Sequence, residues 1–165
     1  MAYHADSADL QTKEVLTWES FGTASRDLAQ MIVDSDFTPD IIIAVARGGL
    51  LPAGALSYAM GVKLSDAVNV EFYTDVHETL PDPVLLAPML DTESISGRKV
   101  VDDVVDSGRT LALVLELLSG HGAQCRSAVV YEKPQSEVKP DYAWKTTDEW
   151  IVFPWSDQDP VTRSK

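Results

Sequence analysis

Val101-Asp102-Asp103-Val104-Val105-Asp106-Ser107-Gly108-Arg109-Thr110 is the stretch that decides the fold. Val100–Val105 reads as a short strand interrupted by Asp102 and Asp103, and Thr110–Ser119 as a helix closed by Gly120. The string therefore lies at a strand-to-helix junction, where α/β sheets bind their ligands. Ser107, Gly108, Arg109 and Thr110 offer small side chains, hydroxyls and free N–H groups at a helix N-terminus, which makes an anion cradle suited to a phosphate. Three carboxylates just before it would repel that phosphate unless they hold something else. Ribose hydroxyls and Mg²⁺ are the natural candidates. The plain alternative is a solvated acidic turn capping a helix, which suits an acidic pair better than it suits the whole string.

Upstream, Ile41–Ala46 is a continuous apolar run, as expected of a strand buried on both faces of a parallel sheet. Arg47-Gly48-Gly49 breaks it, and Leu50–Met60 follows as a helix with Pro52 in its first turn and Gly61 at its end. Before it, Trp18–Val33 is an amphipathic helix with Phe21, Leu28 and Ile32 on one face and Thr17 as N-cap. Residues 1–14 are polar and read as a loose arm. Val68–Tyr73 alternates and reads as a strand. Thr74–Leu90 has three prolines and no period, and reads as one long loop. Ser127–Tyr131 and Trp150–Phe153 complete the strands. Strand and helix alternating in this way mean an α/β fold with a mostly parallel sheet flanked by helices.

The chain has 165 residues, 45% apolar and 24% charged, which fits one ordinary globular domain. No apolar run approaches the roughly 20 residues of a membrane span. The start, Met1 to Asp6, has no basic region leading into an apolar one, so the cytoplasm is the expected location. The formal net charge of −13 argues against a nucleic-acid partner, since phosphate backbones select basic surfaces. A small anion can still be held locally. Cys125 is single and reads as a small hydrophobe; His4 and His121 have no partners at metal spacing.

The decisive string resembles the motif for phosphoribosyl pyrophosphate (PRPP) in type I phosphoribosyltransferases: two acids, two apolar residues, Asp, Ser or Thr, Gly, a variable residue, Thr. Trp18-Glu19-Ser20-Phe21 is similar to that family's opening helix and Ala46-Arg47-Gly48-Gly49-Leu50 to its pyrophosphate loop. Thr74–Leu90 falls where the family has a mobile catalytic loop, although it holds no Lys or Arg. His77 lies within it. The strand before Asp102 is shorter than usual, because Arg98 and Lys99 precede Val100. The resemblance implies a twisted, mostly parallel sheet, a small hood from the two termini, a cis peptide at Ala46–Arg47, and pairing of copies as a dimer or tetramer.

Val129-Val130-Tyr131-Glu132-Lys133-Pro134 and Trp150-Ile151-Val152-Phe153-Pro154-Trp155 resemble the base-binding elements of 6-oxopurine members, particularly xanthine-guanine phosphoribosyltransferases. That resemblance implies a hood over about 133–160 and Mg²⁺-dependent transfer from PRPP to N9 of guanine, xanthine or hypoxanthine. Asp102 and Asp103 would hold the ribose hydroxyls, with Asp103 on the metal. Asp106, Ser107, Gly108, Arg109 and Thr110 would hold the 5′-phosphate, with Asp106 also taking the base proton. Arg47, Gly48 and Gly49 would hold pyrophosphate. Lys133 would donate to O6 and N7, Trp150 would stack on the ring, and the Ile151 backbone would meet its edge near C2. The plainer readings are a solvated Lys133, a core or interface Trp150, a strand-to-helix turn at Arg47 and a helix cap at Asp106. A PRPP-binding regulator without transferase activity is the rival class; a receiver-like signalling domain ranks last, having no need of the 107–110 cradle.

Overall fold

Ile41–Ala46 forms the strand on which the molecule is assembled, and Ile41–Val45 are all buried. Its alternation divides the core in two. Ile42 and Ala44 pack with Leu28, Ala29, Ile32, Ala53 and Leu56, whereas Ile41, Ile43 and Val45 pack with Leu111, Val114 and Leu118. A strand that serves two apolar layers has no polar face to spare, which is why it reads as an unbroken run. In this computed structural model the described residues are 12–71, 74–75, 78–79, 84–87, 99–103 and 108–163.

Three helices flank the sheet: α1 (Trp18–Asp34), α2 (Leu50–Met60) and α3 (Arg109–Gly120). The strands are β1 (Lys13–Val15), β2 (Ile41–Ala46), β3 (Ser65–Glu71), β4 (Thr74–Asp75), β5 (Glu78–Thr79), β6 (Val84–Ala87), β7 (Lys99–Asp103), β8 (Gln124–Glu132), β9 (Tyr142–Thr146) and β10 (Trp150–Val152). Six of them form one sheet in the order β6-β3-β2-β7-β8-β9. All its pairings are parallel except that of β6 with β3. The packing of β2 puts α1 and α2 on one face and α3 on the other. The chain winds from β2 through α2 to β3 in one direction, and from β7 through α3 to β8 in the other. The switch between the two directions lies between β2 and β7, the crevice where open α/β sheets hold ligands.

Local chemistry explains most of the boundaries. Thr17 caps α1 through a capping box in which its Oγ1 accepts from Ser20 N–H at 3.1 Å and Thr17 N–H donates to Ser20 Oγ at 2.8 Å. Gly61 ends α2 in the left-handed region, φ 69°. Helix α3 runs one residue past its expected end: Gly120 stays helical, and the left-handed turn falls on Gly122, φ 80°.

Several expectations are corrected. Lys13 and Glu14 are not part of a loose arm; with Val15 they form β1, which pairs in parallel with β10 as a separate two-stranded sheet. This sheet joins strands from the two terminal regions. Thr74–Leu90 is not one irregular loop, because its described residues form the β4–β5 pair and strand β6. Strand β3 starts at Ser65, three positions before its expected start, and β8 starts at Gln124. Strand β7 includes Lys99 and is described to Asp103; Val104 and Val105 of its expected span lie outside the described residues. Residues 142–146, expected within the hood, instead form the edge strand β9 of the main sheet.

That edge strand is fixed by Asp141. Its Oδ2 accepts from Ser127 N–H at 2.8 Å and Ser127 Oγ–H at 3.2 Å, its Oδ1 accepts from Arg126 Nη1 at 2.7 Å, and its own N–H donates to Ser127 Oγ at 3.0 Å. Ser127 is fully buried. Removing the carboxylate strands that buried N–H, at a cost of about 1–3 kcal/mol. Asp141→Ala should therefore lower the free energy of unfolding by that amount, read as a lower urea midpoint at an unchanged slope; an unchanged midpoint would remove Asp141 as the anchor of β9.

Candidate active site

Parallel pairing carries β2, β7, β8 and β9 out of the sheet at the same edge. The register sets Asp103 opposite Ala44, and Asp102 opposite Ile43 on one side and Ser127 on the other. Arg47-Gly48-Gly49 leaves the end of β2, Asp102 and Asp103 end β7, and Lys133 follows the end of β8. The peptide Ala46–Arg47 is cis, as the resemblance implies. Arg47 and Gly48 are exposed and Gly49 is buried at the start of α2. Asp106 and Ser107 lie outside the described residues, as do His4 and His77.

Gly108 opens α3 with φ 74°. It lies against the turn after Lys133, where a side chain at this position would put its Cβ 2.6 Å from Ser136 Oγ and 2.9 Å from Val138 N. The glycine thus lets the candidate phosphate loop touch the candidate base loop. Gly108, Leu111, Tyr131, Lys133, Ser136 and Val138 are among the residues lining a shallow hollow at this meeting point. Arg109 is exposed and Thr110 half-buried in the first turn of α3.

The turn that carries Lys133 is closed by hydrogen bonds of its own. Ser136 N–H donates to Lys133 O at 3.0 Å and Lys139 Nζ to Pro134 O at 3.0 Å, while Lys139 also pairs with Glu132 at 2.7 Å. Lys133 is half-buried and its Nζ donates to the carbonyl of Glu149. It therefore grips the residue just before Trp150. An ammonium has three donors, so this bond leaves others for a ligand. Trp150 is 54% exposed, which removes the core reading for it. Ile151 is half-buried against the cluster of Leu16, Phe21, Val130 and Tyr131.

Sequence reasoning missed Glu14. Its Oε1 accepts from the Tyr131 hydroxyl at 3.0 Å, and both its oxygens accept from Lys145 Nζ at 2.8 Å. The Lys145 ammonium holds the Glu14 carboxyl below its usual range, against the opposing effect of burial. Burial, helped by the Glu14 carboxylate, pushes the Tyr131 phenol up. No local pattern announces this trio, because Glu14 lies more than a hundred residues from both of its partners.

At Gly108, the left-handed φ alone costs a residue with a Cβ about 1–2 kcal/mol. The backbone nitrogen of Val138 cannot rotate away as a side chain can. Gly108→Ala should lower the melting temperature by more than the dihedral cost alone implies, and Ser136→Ala should recover only part of the loss. Full recovery by Ser136→Ala would reduce the contact to a side-chain clash.

Comparison with known proteins agrees with this geometry. The phosphoribosyl transferase domain model matches residues 11–158. Xanthine-guanine phosphoribosyltransferase of Idiomarina loihiensis is 35% identical over 142 residues, 85% of this chain and 84% of the relative. That of Gluconobacter oxydans is 32% identical over 142 residues, 85% of this chain and 82% of the relative. The crystal structure of a purine phosphoribosyltransferase from Pyrococcus horikoshii superimposes with a TM-score of 0.77 at 35% identity, over 93% of this chain and 99% of that one. With the domain model matching across most of the sequence and relatives above 30% identity covering 85% of it, the chain belongs to the phosphoribosyl transferase family and is an enzyme similar to its xanthine-guanine members.

Proposed function

We propose that the chain transfers phosphoribose from PRPP to N9 of a 6-oxopurine (guanine, xanthine or hypoxanthine), releasing pyrophosphate, as a purine-salvage enzyme of the cytoplasm. The observation that carries this reading is that the carboxyl ends of β2, β7 and β8 lie side by side at the switch edge of the sheet. The named relatives support the choice of base.

In this reading Asp102 and Asp103, at the end of β7, hold the ribose hydroxyls. Their carboxylates are hard oxygen donors of the kind Mg²⁺ takes, and we assign the ion to Asp103. Bound Mg²⁺ would offset charge on the departing pyrophosphate. Arg47 and the amides of Gly48 and Gly49 bind the same group from the end of β2. Asp106, Ser107, Gly108, Arg109 and Thr110 cradle the 5′-phosphate at the N-terminus of α3. As the bond from C1′ to pyrophosphate breaks, positive charge develops on the ribose. The C1′–N9 bond forms on the other side, and Asp106 takes the proton from the base. Lys133 donates to O6 and N7, Trp150 stacks on the purine, and the Ile151 backbone borders C2.

We also assign the contact between copies to α2. This helix has no charged residue and leaves Leu50, Leu51 and Tyr58 exposed, Tyr58 by 94%. On a chain of net charge −13, a neutral apolar face is where a second copy meets least repulsion.

Incubation with Mg-PRPP and each base should yield the nucleotide and pyrophosphate. A charge-assisted hydrogen bond is worth about 1.5–3 kcal/mol. Lys133→Ala should accordingly lower kcat/KM for the base by roughly 10- to 100-fold while leaving the KM for PRPP near its starting value. Unchanged base kinetics would remove Lys133 from the base site; binding of PRPP with no product from any base would favour a regulator.

A further inference from the structure

We infer that Glu14 is a positioning residue for the purine: through its bonds to Tyr131 and Lys145 it sets the place of β1, and so of Trp150 in β10. This inference rests on the reading of Trp150 as the base-stacking residue. Strands β1 and β10 are three residues each and form a sheet of their own. A two-stranded ribbon is marginal by itself, so its position depends on what ties it to the main sheet. Trp150 lies opposite Lys13 and is more than half exposed, so burial does little to orient it. Two kinds of tie are visible. From the β10 side, Lys133 holds the Glu149 carbonyl. From the β1 side, Leu16 is buried and donates its N–H to Val152 O at 3.0 Å, while Glu14 reaches the ends of β8 and β9.

The tie through Glu14 differs from an exposed ion pair. Its side chain is only 18% exposed, and it accepts from a tyrosine that is itself buried. Tyr131 packs edge-on against Trp144 and Phe153, ring centroids 5.8 and 6.0 Å apart, so its hydroxyl is held in place by the core. Glu14 therefore takes its position from the rigid part of the molecule. It passes that position to Ile151, its register partner, and to the adjoining Trp150. Among the described residues, no hydrogen bond or ion pair of Glu14 goes to Arg47, Gly48 or Gly49 after β2 or to Gly108, Arg109 or Thr110 at the start of α3; its partners are Tyr131 and Lys145. Loss of Glu14 should consequently be felt at the base and spare PRPP.

The test is a steady-state comparison of Glu14→Ala, Glu14→Gln, Tyr131→Phe and Trp150→Ala, with PRPP and base varied separately. Glu14→Ala should raise the base KM roughly tenfold with the PRPP KM unchanged. Glu14→Gln, which keeps an acceptor for the Tyr131 hydroxyl, should raise it less. Tyr131→Phe should add little on top of Glu14→Ala, because it acts through the same group. If Trp150→Ala raises the base KM and Glu14→Ala does not, the inference is overturned and the base site stands. If neither does, the base-site reading fails and the inference falls with it. A parallel rise in both KM values would reduce Glu14 to a general stabiliser and overturn the inference too. Should Glu14→Ala fail to fold, Glu14→Gln decides by the same split.

Discussion

The burial of β2 on both faces is the constraint from which the rest of the structure follows. A strand with apolar layers on either side needs helices above and below the sheet, and parallel neighbours supply them through crossover connections. Parallel neighbours also end at the same edge. Strand ends that are distant in sequence, at Ala46, Asp103 and Glu132, are thereby delivered to one edge. The edge is polar because it is where the chain leaves the core. It is also where helix N-termini point, at Gly49 for α2 and Gly108 for α3. Anion binding there needs no basic surface overall, which reconciles a net charge of −13 with phosphate chemistry.

The second organising feature is the contact between the start of α3 and the turn after Lys133. Gly108 permits it, and Lys139, bonded to Glu132 and Pro134, holds the turn in place. Lys133 then reaches across to Glu149, tying β8 to the approach of β10. The β1–β10 sheet is thus connected to the main sheet from two sides, by Lys133 and by Glu14. In the proposed mechanism sugar and base must meet in one geometry, and connected loops are a means of holding them there.

The sequence made the main sheet legible where one local pattern decides the outcome. Ile41–Ala46, the Thr17 cap and the Gly61 stop each follow from a few neighbouring residues. Strands whose partners lie far away were harder to read. Lys13-Glu14-Val15 has no strand signal of its own and is ordered by pairing with Trp150-Ile151-Val152. Tyr142–Thr146 did offer a signal, aromatic residues at 142 and 144 on one side. Tyr142 bonds Ser35 at 2.8 Å and Trp144 bonds Asp27 at 3.1 Å, both against α1. Strand β6, the apolar run Val84–Ala87, was hidden by its shortness and by Pro81, Pro83 and Pro88 on either side of it. At the site, the candidate residues after β2, β7 and β8 were legible from motif spacing, while Glu14 was not, since only the folded chain brings it to Tyr131 and Lys145.

In the proposed mechanism the carboxyl edge between β2 and β7 holds the sugar and its phosphates, whereas the base site is completed only once PRPP is bound. Thermal unfolding with Mg-PRPP, with free purine and with both tests it most directly. Mg-PRPP alone should raise the melting temperature, with a stabilisation of about 2.7 kcal/mol at a hundredfold excess over its Kd. Free purine alone should raise it only weakly. An unchanged melting temperature with Mg-PRPP, or an equal rise with purine alone, would contradict the account.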